Sequence, residues 1–251
     1  MNARKTTLGG SDGFTLLEVL ISSVILALVI GSIYGVLASS SSLYKQNMNI
    51  TYLQASGGII QERLMAELAY GTPLATTTEG TSITFWTPVD ADGVNGPLSA
   101  DGEVEWGYDG RLGYSRRMDF VVDSVLDEAI LGQDVNGNGH TNDRFFLGRL
   151  TAVTLDESGA ATGAPDNITP PMLLVNAVSP GGDVDGDGRP DPIFGRYAAD
   201  GVTLSATGSI LKVKLCLLSR DAEFGCRLET KDVTVKLRNT DAPTGVVFTA
   251  E

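Results

Sequence analysis

Histidine is almost absent from this 251-residue chain: there is one, His140. It lies within an acidic glycine segment, which argues against a histidine-based triad or zinc site. Basic residues are scarce as well, 18 Lys and Arg against 31 Asp and Glu, for a formal net charge of −13. A nucleic-acid partner demands a basic face, so that class of function is also set aside. There is no Gly-Lys-Ser/Thr phosphate loop and no Gly-x-Ser-x-Gly elbow. The reading is of a non-enzyme. Excess acid suits carboxylates that hold divalent cations, or solubility alone.

What the chain does have is one long hydrophobic run. Residues 13–38 are apolar apart from a single charge, Glu18. About 20 such residues span a bilayer. An acid within such a segment costs ~2.5–3.5 kcal/mol at the bilayer centre and less near the interface, so its default meaning is functional. Ahead of the run stand only two basic residues, Arg4 and Lys5. A secretory signal peptide places its small-residue cleavage site after the apolar region; here the small residue, Gly13, comes before it. A cut there leaves the hydrophobic helix on the mature chain.

The stretch Gly13-Phe14-Thr15-Leu16-Leu17-Glu18 resembles the class III signal of type IV prepilins and type II secretion pseudopilins. The resemblance implies cleavage after Gly13 by a membrane prepilin peptidase and N-methylation of Phe14, with Glu18 as fifth residue of the mature chain. It also implies an α+β, pilin-like fold in which a long N-terminal helix packs on an antiparallel sheet. The expected organisation is a leader at 1–13, a membrane or filament-core helix at 14–44, and a globular domain at 45–251 exposed to the periplasm and then on the filament. The protein would insert once in the bacterial inner membrane and then join other pilins through the helix. Cleavage frees an amine at Phe14, and a buried amine and carboxylate cost less paired than apart. Glu18 of one subunit is thus expected to meet the Phe14 amine of its neighbour during assembly.

Beyond the apolar run, Leu43-Tyr44-Lys45 reads as the exit from the bilayer. Ile50, Leu53, Ile60, Leu64 and Leu68 continue a helical period, with Gly57-Gly58 as an expected interruption and Gly71-Thr72-Pro73 as the stop. The rest reads as strands. Ile83 and Phe85 lie in a first run; Val104, Trp106 and Tyr108 face Leu112, Tyr114 and Met118 across an Asp109-Gly110 turn. Residues 145–155 and 172–178 are further candidates, and alternation at 211–217 and 233–237 gives two more strands with one buried face.

Two acidic glycine segments stand out: Asp134-Val135-Asn136-Gly137-Asn138-Gly139-His140-Thr141-Asn142-Asp143 and Asp183-Val184-Asp185-Gly186-Asp187-Gly188-Arg189-Pro190-Asp191. Each alternates short oxygen-bearing side chains with glycine, the pattern by which ligands converge on calcium. They resemble the calcium loops of EF-hands, dockerins and thrombospondin-type repeats. Candidate ligands are Asp134, Asn136, Asn138, Asn142, Asp143, Asp183, Asp185, Asp187 and Asp191, with the carbonyls of His140 and Arg189, for one or two structural Ca2+ ions. Where an EF-hand has its bidentate acid, these loops have Phe145 and Phe194, so another residue, Asp143 or a carboxylate from elsewhere in the fold, must complete each shell. Solvated Asn/Asp-Gly turns are the alternative.

Cys216 and Cys226, close together in an exported chain, read as a disulfide, as in the C-terminal loops of many pilins. Residues 210–220 and 233–239, with Leu53-Gln54 and 64–68 of the helix, resemble PilW-type minor pilins. J-type pseudopilins are their secretion counterparts. That likeness implies a low-abundance subunit that primes or caps a filament. A pseudopilin of a type II secretion system and a filament-displayed adhesin are the other functions it leaves open.

Overall fold

The computed structural model describes residues 15–76, 79–91, 93, 96–98, 104–205, 208–221 and 225–236. Gly13 and Phe14 lie outside them. The chain divides into two units, one up to Asn49 and one from Ile50 on.

Helix α1, Leu16–Leu68, runs through both. In the first unit its apolar side chains point outward all round: Leu16, Leu28 and Val36 are each at least two-thirds exposed to solvent. In the second unit the pattern becomes one-sided. Leu53, Gly57, Ile60, Leu64 and Leu68 are buried, at the three- and four-residue spacing that makes one stripe of a helix. The expected interruption at Gly57-Gly58 does not occur. Gly57 is instead a contact point: a Cβ there would stand 3.0 Å from Leu217 Cδ1 and 3.1 Å from Lys231 Cγ.

The stripe lies on a mostly ordered antiparallel sheet. Its strands are β1 (Thr72–Thr76), β2 (Ser82–Pro88), β3 (Trp106–Tyr108), β4 (Arg111–Leu112), β5 (Ser115–Asp127), β6 (Arg144–Leu155), β7 (Asp166–Asn167), β8 (Leu173–Asn176), β9 (Phe194–Tyr197), β10 (Ile210–Asp221) and β11 (Gly225–Lys236). The order is β11-β10-β8-β6-β5-β2-β3-β4, with β1 on β2, β7 on β6 and β9 on β10. A one-turn helix, α2 (Glu128–Leu131), follows β5 and is capped by Asp127, whose side chain accepts from the Ala129 amide. The long N-terminal helix and this sheet make the fold α+β and pilin-like.

The turn at Asp109-Gly110 forms as expected. Both residues have positive φ, 52° and 70°, as a two-residue hairpin requires. It joins β3 to β4, while Met118 belongs to the next strand, β5.

Strand β10 divides the interior. Leu211, Val213, Leu215 and Leu217 join Leu53, Ile60, Leu64 and Leu68 of the helix, with Ile83, Phe85, Met118 and Leu150, in the main core. Cys216 and Leu218, pointing the other way, join Val135, Val184, Leu126, Phe145, Leu147 and Leu174 in a smaller core. Both acidic glycine loops therefore cover the sheet face opposite the helix. A nearly buried Arg116 fastens the end of the helix to the sheet. It lies 3.8 Å from Glu67, 2.9 Å from Asp166 and 5.2 Å from the centre of the Tyr108 ring.

The expected disulfide is not formed. Cys216 stands opposite Thr230 and Cys226 opposite Arg220, because β10 and β11 pair without a break from Ile210–Lys236 to Asp221–Gly225. The two thiols are thus four residues apart along the ladder, roughly 13 Å at about 3.3 Å per residue, where a disulfide requires Cα atoms within ~7 Å. Burial pushes the Cys216 thiol up to about 12, so it packs as a small apolar side chain.

Candidate functional site

The first site lies where the helix begins. Thr15 precedes it, and three residues on stands Glu18, the arrangement of a capping box. The Glu18 carboxylate accepts from the Thr15 amide and from Thr15 Oγ1, each at 3.2 Å. Thr15 Oγ1 in turn accepts from the Glu18 amide at 3.2 Å. The only acid in the apolar half of the helix is thus oriented by its own helix end, where the helix dipole favours negative charge. Thr15 was not singled out in the sequence, although the Thr-x-x-Glu spacing carried the signal.

The second site is the pair of acidic glycine loops, which repeat one another bond for bond. Asp134 accepts from the amides of Gly137 and Gly139 at 2.6 and 2.7 Å. Asp183 accepts from Gly186 and Gly188, both at 2.7 Å. Asn136 and Asp185 accept from the amides two residues on, and so do Asn138 and Asp187, whose donors are His140 and Arg189 at 2.8 Å. The four glycines, 137, 139, 186 and 188, have φ between 76° and 85°, a region open to glycine and strained for other residues. The loops touch: a Cβ on Gly186 would stand 3.1 Å from Asn138 Cβ.

Each loop also drops a valine into the smaller core and has that valine's amide capped by a buried carboxylate. Val135 donates to Glu128 at 2.6 Å, and Glu128 also takes the Asp143 amide at 3.2 Å. Val184 donates to Asp191 at 2.9 Å. Glu128, fully buried on α2, was missed in the sequence because it lies outside the repeated segment.

The loops differ in how their oxygens are balanced. In the first, the amide groups of Asn136 and Asn138 donate to Asp143 at 3.2 and 2.6 Å. Neutral N–H groups there do what a cation would do. His140 and Asn142 are exposed. In the second, carboxylate oxygens of Asp183, Asp185 and Asp187 lie within 4.8 Å of one another, a group that can hold a metal ion. Lys214, reaching up from β10, is 2.9 Å from Asp185 and also contacts Asp191. Burial opposes its charge, but the hydrogen bonds it donates to Asp191 and Asp185 outweigh this and hold the ammonium well above its usual range. Asp191 is drawn toward Lys214 and the amides of Val184 and Asp185, away from the three-carboxylate group.

Among the described residues there is thus one helix long and apolar enough to cross a membrane, joined to a sheet domain that carries a candidate cation site. Residues 10–34 match the family model for the prokaryotic N-terminal methylation motif. The N-terminal segment therefore carries the motif of type IV pilin-like and pseudopilin precursors, a motif that implies processing by prepilin peptidase and assembly with other pilins. No curated protein and no solved structure matches the chain.

Proposed function

We propose that this protein is a minor type IV pilin, cleaved after Gly13 and methylated on Phe14, that primes or caps a filament. The observation that carries the reading is the first half of α1, whose apolar side chains are exposed and whose only acid, Glu18, sits at the start of the helix. Such a surface is stable in lipid or against sister helices, and in water it is not. In the membrane the globular domain faces the periplasm. In the filament, Glu18 pairs with the Phe14 amine of the adjoining subunit, and the capping box presents its carboxylate at the helix tip.

Calcium in the second loop supports the same domain. Oxygen ligands are what calcium takes, and among the described residues the three carboxylates have only Lys214, on Asp185, to offset their mutual repulsion. The first loop, balanced by its own amides, is the weaker calcium site of the two. An ion that binds only the ordered loop offsets the entropy of ordering it.

The test is deletion of the gene with complementation by the wild type or by Glu18→Ala. A priming subunit predicts loss of surface filaments on deletion and no rescue by the variant. Intact pili with abolished protein secretion would instead assign the chain to a type II secretion system.

A further inference from the structure

On the sheet face that carries the acidic loops, a cavity of about 340 Å3 opens between the second loop, β9 and the turn that follows it. That is the lower end of the ~300–1,000 Å3 of small-molecule sites, enough for a single ring. Asp187, Arg189, Tyr197, Val202, Lys212 and Asp232 are among the residues around it. Acids outnumber basic residues 31 to 18 in this chain, yet neither cation here has a carboxylate partner among the described residues. Lys212 rests its ammonium over the Tyr197 ring, 4.9 Å from the centre. Of Arg189 only the backbone amide is engaged, by Asp187. Lys214, by contrast, is committed to Asp185 and Asp191.

The wall is ordered in advance. One Asp200 oxygen accepts from the amides of Val202 and Thr203 at 2.9 and 3.0 Å, and the other from Thr203 Oγ1 at 2.7 Å. The Thr203 hydroxyl foremost, then these amides, holds the exposed Asp200 carboxyl down at about 2.

We propose that this cavity binds a small monoanion with a carboxylate on a hydroxylated ring, an acidic sugar of the uronate type. The carboxylate meets Arg189 and Lys212, for which a guanidinium and an ammonium are matched donors. Asp232 accepts from a ring hydroxyl, Asp187 stays with the cation it would share with Asp183 and Asp185, and the C–H face of the ring lies on Val202 and Leu204. Asp232 decides between anions: it repels the extra charge of a phosphate dianion, whereas a carboxylate with neutral hydroxyls satisfies both signs of the lining. This function is separate from filament priming, and its failure leaves the N-terminal account untouched.

The experiment is isothermal titration calorimetry of the full-length protein in detergent with calcium present, using galacturonate, galactose and inorganic phosphate. Galacturonate is expected to bind at one site per chain, with galactose and phosphate silent at the same concentrations. The double variant Arg189→Gln, Lys212→Gln should weaken it by about tenfold or more, since each hydrogen bond to a charged group contributes about 1.5–3 kcal/mol. Val202→Trp, on a side chain 75% exposed at the rim, should block binding with the melting temperature unchanged. Absence of galacturonate binding, equal binding of galactose or phosphate, or undiminished affinity in both variants would overturn the proposal.

Discussion

The two halves of α1 share one backbone and differ in what their side chains are for. From Ile50 onward Leu53, Ile60, Leu64 and Leu68 fall on one stripe and are buried in the chain's own core, while Tyr52, Ile59 and Met65 face outward. Before Asn49 the apolar residues cover every side and remain exposed. A helix whose apolar face matches its own sheet is stabilised by folding; one that is apolar all round needs a solvent or a partner of its own kind. The second half thus belongs to a domain and the first to a membrane and an assembly.

The sharpest way to break that division is Glu18→Ala. If the first half serves assembly, the variant inserts in the membrane and is cleaved, but its co-purification with filaments falls severely while the melting temperature of the globular domain is unchanged. Equal incorporation of variant and wild type would remove the role of Glu18. Next in size is a pair of truncations read by thermal melting. Leu64→Ala, at a fully buried site, is expected to cost about 2–5 kcal/mol. Leu26→Ala, 59% exposed, should stay within about 0.5 kcal/mol. Similar losses from both would show that the halves are not separate in function.

The sheet face opposite the helix supplies a finer contrast, between one loop balanced by amides and one crowded with carboxylates. EDTA should lower the melting temperature of the calcium-loaded protein in detergent by a few degrees, each ~1 kcal/mol being worth about 2–4 °C at this size. Asp185→Asn should abolish most of that shift and Asn136→Ala little of it. An EDTA shift governed by the first loop would reverse the assignment. The smallest effect is expected from Thr15→Ala, which removes the capping hydroxyl at a cost of about 1 kcal/mol of helix stability. It should reduce incorporation into filaments partially, less than Glu18→Ala does.

Features written in consecutive residues were legible beforehand. The N-terminal methylation motif, the period of the helix, the Asp109-Gly110 turn and the alternation of Val233 and Val235 each carry their meaning in adjacent positions. The acidic loops were equally readable as a repeat. What escaped was fixed by distant partners. The second half of β5 was unreadable because Val121, Val122, Asp123, Ser124 and Val125 are all exposed, so no alternation marks it; β6 holds it in the sheet. Glu128 and Lys214 complete the loops from a helix and a strand that only folding brings near. Gly57 looked like a break because its use, a close approach to Leu217, lies 160 residues away in the chain. The cysteines misled for a related reason: their spacing in sequence is that of a loop, whereas the paired strands run straight through both.

Mass spectrometry of the mature N-terminus in cells that carry prepilin peptidase tests the central claim most directly. The account predicts a chain that starts at Phe14 and carries one added methyl group. A chain that retains Met1, or one that starts at any residue other than Phe14, would contradict it.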